Sequence, residues 1–370
     1  MKTLLPKVNA GQFGKGRSLM KLLKERDLRS RILGLPFVLT NVASRYEIAG
    51  RSHLEQALKQ RAREGCGLVT VSNHLSLFDD PLVIAELLKL KDFTRNTKCW
   101  WSTPCESNFN PQGTGLRDTF IRYFSEVSRM VFFTRPQKTG ERCIPVQAYA
   151  PLLELRGGAA LMDRVQQAAS REGIDAETWL ARFVSYDTSA GASPLDQPGM
   201  IEACARIALG DWLHFFPEGG RSRTLQLRQP RRGLGKVVFH NPRALIVPLC
   251  FYGTQDVLPI GKILPRWGKR VVVTVGEPFR ARTCIPLCHE DEDKEKIFQA
   301  VSEQLWERVK TLRPQTLARY VGPVKAKALL QAEAPAAAVP TGEEVAAPAG
   351  EYSAAQVRRA NSAHPTAFAS

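Results

Sequence analysis

The apolar residues of this chain fall into short β-branched blocks separated by longer polar stretches of helical period. Gly67-Leu68-Val69-Thr70-Val71 is such a block, and its shortness and valine content predict a buried strand. Blocks at residues 130–133, 212–216, 244–249 and 271–275 predict further strands. Segments near 52–64, 81–88, 158–171, 176–184, 199–208 and 293–312 predict helices, and 187–198 a loop. Strands alternating with helices over residues 50–315 predict an α/β domain. Pro81 suits the first position of the helix that follows the first strand, and Asp80 suits its N-cap.

The two ends read differently. Residues 1–31 hold nine basic residues against Glu25 and Asp27, and Met1 to Lys24 contains no acid. Residues 32–43 are apolar but broken by Pro36. They fall short of the roughly 18 apolar residues of a spanning helix. A cationic stretch before a short apolar plug predicts a membrane-surface anchor over residues 1–50, and an acid-free start is also compatible with a targeting peptide. The domain that carries the chemistry is expected over residues 51–315, with a C-terminal extension over 316–370. From about residue 331 that extension is rich in Ala, Pro and Glu and is expected to be disordered.

Charge and cysteines narrow the classes. The 370 residues carry a net charge of +16, and 44% are hydrophobic, ample for a core. So basic a chain suits an anionic partner: nucleic acid, membrane surface or phosphorylated substrate. No nucleic-acid recognition module stands out, so nucleic acid is not the expected partner. The eight cysteines include no Cys-x-x-Cys pair, and Cys284-Ile285-Pro286-Leu287-Cys288-His289 lacks a second half-site. Free thiols are expected, and no metal. There is no Gly-x-Ser-x-Gly elbow, Walker loop, His-Glu-x-x-His or Gly-x-Gly-x-x-Gly.

The candidate chemistry starts at Asn73-His74-Leu75-Ser76-Leu77-Phe78-Asp79-Asp80-Pro81. A His and an Asp five positions apart sit about 140° apart on a helix and share no face. Across a strand end that turns into a helix, the same spacing lets Asp79 fold back onto the His74 ring. A carboxylate accepting one ring N–H leaves the other nitrogen as a base. No other His in the chain has an Asp five residues later. A His capping a loop and an Asp capping a helix is the plain structural alternative.

A second motif follows another apolar block: Phe216-Pro217-Glu218-Gly219-Gly220-Arg221-Ser222-Arg223. Its glycines permit backbone conformations that expose N–H groups, and Arg221 and Arg223 add charge-assisted donors. Such a turn can hold a phosphate or a developing oxyanion; a strand-to-helix turn with solvated arginines is the alternative. Arg231-Arg232-Gly233-Leu234-Gly235-Lys236 reads as a second basic turn that could extend the anion site.

These two motifs resemble the glycerophospholipid acyltransferase family defined by Asn-His-x4-Asp and Phe-Pro-Glu-Gly. The doubled Asp79-Asp80 before Pro81, the run Gly210 to Gly219, Ile246-Val247-Pro248-Leu249, Gly253 to Pro259, Pro265 to Lys269 and Gly276-Glu277-Pro278-Phe279 resemble its tafazzin branch. The likeness runs from Leu33 to Leu312, and residues 148–200 match poorly, as a variable insertion would. Gly220-Arg221-Ser222-Arg223 is closer to the general family than to tafazzins. Where the branch carries an Arg after the Gly140 to Val146 motif, Gln147 and Ala148 stand here; Arg142 or Arg135 could substitute.

The resemblance implies a mixed sheet flanked by helices, and transfer of a fatty acyl group to a lysophospholipid hydroxyl. His74 would act as general base and Asp79 would orient it. Glu218, Gly219, Arg221 and Arg223 would shape the phosphate or oxyanion side. No cofactor, metal or covalent intermediate is needed. In the tafazzin-like reading a phospholipid donates the acyl group, as in cardiolipin remodelling. The alternative is an acyl-CoA-dependent 1-acyl-glycerol-3-phosphate acyltransferase, and a further class is a non-catalytic membrane or nucleic-acid binder. The expected partners are phospholipid, lysophospholipid and an anionic membrane surface. The expected place is a peripheral or monotopic position on a mitochondrial membrane in a eukaryote, or on the inner membrane of a bacterium.

Overall fold

The computed structural model describes residues 36–37, 39–88, 100–105, 115, 119, 129–133, 158–183, 198–262, 264–287 and 293–333. The basic arm, most of the loop expected over 187–198, Cys288-His289 and the tail from residue 334 lie outside the described residues. The chain divides into two units after Leu330; of the second, only residues 331–333 are described, and they are helical.

In chain order the elements are β1 (Arg45–Ala49), α1 (Arg51–Glu64), β2 (Leu68–Val71), α2 (Asp79–Leu87), β3 (Trp101–Ser102), α3 (Ala159–Arg171), α4 (Ala176–Ala181), α5 (Pro198–Ala208), β4 (Trp212–Phe215), α6 (Gly233–Phe239), β5 (Leu245–Tyr252), α7 (Thr254–Val257), β6 (Arg270–Val275), β7 (Phe279–Arg280), a 3-10 turn (Ala281–Cys284), α8 (Lys294–Val321) and α9 (Pro323–Glu333). The strands form one mixed sheet in the order β1-β6-β5-β2-β4-β3, with β7 beside β5. Helix α8 lies against β5 and β6, and α1 against the same pair, so the sheet is flanked by helices as expected.

Strand β5 is the pivot. Its first half, Leu245–Pro248, runs parallel to β2, and its second half, Leu249–Tyr252, runs antiparallel to β6. Pro248 sits where the partner changes, the one place in a fully buried strand where a missing N–H costs least. The β2, β4 and β5 residues are buried throughout, because a sheet covered on both faces has no solvent side for polar alternation.

Four expectations are corrected. Residues 130–133 do not form a strand; Met130 and Phe133 make single bridges to Ser102 and Cys105. The sheet starts at β1, inside the segment assigned to membrane association. The Arg-Tyr-Glu-Ile-Ala alternation of this edge strand pairs with β6 in register Arg45 to Arg270. Helix α8 does not stop near 312 but runs through Pro314 to Val321, because Arg313, Thr316 and Leu317 beyond the break are buried against the core. Helix α2 begins at Asp79, so Asp80 is not its N-cap; Phe78 holds that position without a side-chain bond.

Candidate active site

Strand β2 delivers its C-terminal end to the site. Immediately after it, Asn73 is fully buried and acts as a strand substitute: its side chain donates to Phe251 O at 2.8 Å and accepts from Phe251 N at 3.0 Å. This amide pair fixes the last turn of the chain before His74.

The His74 ring then lies with Nδ1 2.9 Å from Asp79 Oδ2. The same carboxylate oxygen accepts the backbone N–H groups of Leu75 at 2.6 Å and Ser76 at 2.8 Å. Asp79 is therefore both the ring's partner and the knot of the loop between them. That explains why the helix starts at Asp79: the carboxylate must fold back over the three preceding peptides. The Asp79 side chain is 0% exposed and that of His74 17%, so the imidazole reaches solvent while the carboxylate does not. Nε2 of His74 has no hydrogen-bond partner among the described residues. Phe216 stacks on the imidazole with centroids 4.1 Å apart and fixes its plane. Asp80 turns away, accepting from Trp100 Nε1 at 3.2 Å and from Ser102 Oγ.

The second motif grips His74 by its backbone. Glu218 Oε1 accepts the His74 N–H at 2.9 Å, and His74 O accepts the Ser222 N–H at 2.7 Å. The other Glu218 oxygen accepts Arg228 N–H at 2.9 Å. Burial pushes this carboxyl up to about 7 against the pull of those two N–H donors. Glu218 thus faces the protein, each of its oxygens accepting a backbone N–H, so it shapes the turn by holding the His74 and Arg228 backbones. Gly219 has φ +63°, and a Cβ there would meet the Arg231 side chain at 2.5 Å. Arg221 is half-buried, Arg223 is exposed, and neither makes a hydrogen bond or ion pair among the described residues. Those two, with Arg228 and Arg231 lying against Gly220 and Gly219, leave guanidinium groups around the turn.

Of residues 231–236, Arg231 lies against the turn, while the rest lead away from it into a helix. Residues 233–239 are helical, Arg232 pairs with Glu295 at 3.1 Å, and the Lys236 ammonium lies over the Phe298 ring in the interior. Burial lowers Lys236 to about 7. Arg135, Arg142 and Gln147 lie outside the described residues. Among the described residues no three His, Cys, Asp or Glu side chains gather as a metal site.

Two supports were not foreseen from the sequence. His214 lies fully buried under the site, with Nδ1 2.8 Å from Thr70 Oγ1 and Nε2 3.0 Å from Ser72 Oγ, and burial lowers it to about 3. Arg313, from α8, donates to Tyr252 Oη at 2.9 Å and to Leu225 O at 3.1 Å, anchoring the loop that carries the arginines. The signal for both was a polar residue inside an apolar block or helix face.

The Acyltransferase family model matches residues 51–252, and the chain belongs to that family. Among its curated relatives, the taffazin of Dictyostelium discoideum is 37% identical over 87 residues, 22% of this chain and 30% of that protein. The tafazzin of Drosophila melanogaster is 24% identical over 63% of this chain and 45% of its own length. That of Saccharomyces cerevisiae is 25% identical over 63% of this chain and 56% of its own. The chain thus spans about half or less of the curated relatives it matches. A solved 1-acyl-sn-glycerophosphate acyltransferase, PlsC of Thermotoga maritima, aligns over 81% of this chain and 85% of its own. Its TM-score of 0.38 at 13% identity is too low to carry an argument.

Proposed function

We propose that the protein transfers a fatty acyl group from a phospholipid to the hydroxyl of a lysophospholipid. The observation that carries this reading is the His74 Nδ1 to Asp79 Oδ2 contact of 2.9 Å, with Nε2 unpartnered among the described residues beside an arginine-bearing turn. The acceptor hydroxyl gives its proton to Nε2 as its oxygen attacks the ester carbonyl. The buried Asp79 carboxylate stabilises the imidazolium that results. The same Nε2–H then protonates the leaving lysolipid oxygen. Arg221 and Arg223 hold the lipid phosphate by charge-assisted hydrogen bonds. The chemistry calls for no cofactor, and the residues form no acyl-enzyme.

The relatives named tafazzin support a phospholipid donor, a lysocardiolipin-type acceptor and work at a membrane surface, mitochondrial in a eukaryotic cell and inner in a bacterial one. The Arg221-Ser222-Arg223 run favours the second reading, an acyl-CoA-dependent lysophosphatidate acyltransferase. Purified protein given labelled phospholipid and lysolipid, with and without acyl-CoA, separates them. Transfer without acyl-CoA is expected; transfer seen only with acyl-CoA would replace the first reading by the second.

A further inference from the structure

We propose that residues 258–262 and 264–269, with residues 39–42, form one membrane-docking surface, built for an anionic lipid bilayer. Its chemical purpose rests on the lipid-substrate reading above; its geometry does not. Five apolar side chains stand in solvent here: Leu39 at 58%, Val42 at 72%, Ile260 at 42%, Leu264 at 79% and Trp267 at 72% exposed. Leu287 and Val324, also strongly exposed, belong to other segments.

The two segments are joined by hydrogen bonds. Gly268 N–H donates to Ala43 O at 2.7 Å, and Arg45 N–H to Lys269 O at 2.8 Å. The first bond ties the turn at Trp267–Gly268 to the end of the helical residues 39–42, and the second lies just before the first β1–β6 pair, Arg45 and Arg270. Val42 and Trp267 each stand one residue before a partner in the Gly268–Ala43 bond.

Charge decides the occupant. No acid stands between Asp256 and Glu277, while Lys262, Arg266 and Lys269 punctuate the loop and make no ion pair among the described residues. Two acids near the loop are engaged: Glu47 pairs with Arg270 at 2.8 Å, and Asp256 accepts from Tyr320 Oη. An exposed indole and branched aliphatics flanked by unpaired cations match the boundary between lipid head groups and acyl chains. A second copy of this chain would bring its own cations against these.

The surface is rooted in the catalytic framework. Ser76 Oγ donates to Leu258 O at 2.9 Å, and Asn41 Nδ2 to Leu82 O at 2.8 Å. Ser76 belongs to the loop knotted by Asp79, and Leu82 to α2. Docking at this surface therefore holds the His74 loop next to the bilayer from which a lipid substrate must come.

The test uses the full chain with vesicles of phosphatidylcholine, alone or mixed with phosphatidylglycerol, and reads quenching of indole fluorescence by brominated acyl chains. Quenching is expected only with the anionic vesicles, and is lost in Trp267→Phe while co-sedimentation persists. That readout reports the loop itself, whatever residues 1–31 contribute to partition. Lys262→Gln/Arg266→Gln/Lys269→Gln should lower partition on the order of a hundredfold. Ile260→Ser/Leu264→Ser/Trp267→Ser should lower it as far, with unchanged thermal melting, since these side chains are exposed. Absence of Trp267 quenching in the unaltered protein overturns the proposal, as does a concentration-dependent dimer abolished by the serine variant. Activity on detergent-dispersed lysolipid is measured in parallel. Its absence would sink the acyl-transfer reading and leave the docking result standing.

Discussion

Glu218 holds the peptide N–H of His74 at 2.9 Å, so a carboxylate from one motif fixes the backbone of the histidine in the other. With its second oxygen on Arg228 N, it ties the arginine loop to the same point. Glu218→Gln keeps the size but offers one oxygen to two part-buried donors, and its amide N–H meets an N–H. Leaving one such donor unmet costs about 1–3 kcal/mol. The expected result is a lower urea midpoint together with reduced kcat. A Glu218→Gln variant as stable as the parent would show that these bonds do not hold the site.

The pH dependence of stability contains two opposed contributions here. Glu218, raised to about 7 by burial, takes up a proton in the folded state that the unfolded chain at its ordinary value near 4.5 does not. Its contribution is full below about 4.5 and is lost as pH rises through about 7. His214, lowered to about 3, does the reverse: the unfolded chain protonates at about 6.5 while the folded one stays neutral. Its contribution is present above about 6.5 and is lost as pH falls towards about 3. Because the two slopes offset each other between pH 5 and 6.5, Glu218→Gln should make stability rise with pH in that window in denaturant titrations, by on the order of 1 kcal/mol per pH unit more than in the parent. An unaltered slope in that window would mean that Glu218 is not protonated there.

Much of this was readable in the chain because the motifs coincide with element ends. The valine-rich block of β2 followed by Asn73-His74, and the apolar block of β4 followed by Phe216-Pro217, each mark a strand delivering a loop. Parallel pairing of β2 and β4 then brings the loops together. Local pattern could not show which way a polar side chain turns. Glu218 reads as a site carboxylate, yet two long-range N–H groups turn it inward. Asp80 reads as a cap, but Trp100 and Ser102, 20 and 22 residues on, take its carboxylate. Strand β1 was hidden because an edge strand of five residues carries a weak alternation beside a stronger apolar run. Pro314 predicts a helix end on local grounds, and packing of α8 on the sheet overrides it.

The arginine turn separates contact from positioning. Arg221 is half-buried without a partner among the described residues, whereas Arg313 is buried and holds Leu225 O at 3.1 Å from below the loop. Arg221→Ala should raise KM for the lysolipid and leave thermal stability unchanged, because a lost charged hydrogen bond costs about 1.5–3 kcal/mol of binding, or roughly 10–100-fold. Arg313→Lys cannot reach both Tyr252 Oη and Leu225 O, because a single ammonium lacks the two-armed fork of the guanidinium. It should lower the melting temperature and speed proteolysis within the 222–231 loop as well as raising KM. Equal effects of the two variants on stability would refute the division.

The His74–Asp79 pair can be taken apart by two substitutions with different signatures. His74→Ala removes the base and should lower kcat by about 10²–10⁴-fold, the usual scale of a general base. It removes neither the Glu218 nor the Ser222 bond to the backbone, so the fold persists. Asp79→Asn is subtler. Asp79 Oδ2 gathers three donors, while Oδ1 is buried with no partner among the described residues. An Asn oxygen can take the Oδ2 place and its amide the Oδ1 place, which preserves the loop and the ring's orientation. The negative charge beside the forming imidazolium is lost. At about 4 Å and an effective dielectric near 20 that attraction is worth about 4 kcal/mol, so kcat should fall on the order of 10²–10³-fold. KM should change little, since neither side chain holds the lipid phosphate. A His74→Ala/Asp79→Asn double variant should be no slower than His74→Ala alone, because Asp79 acts only through the imidazole. Additive losses, measured as initial acyl-transfer rates at saturating lysolipid, would mean that Asp79 contributes to the reaction by another route.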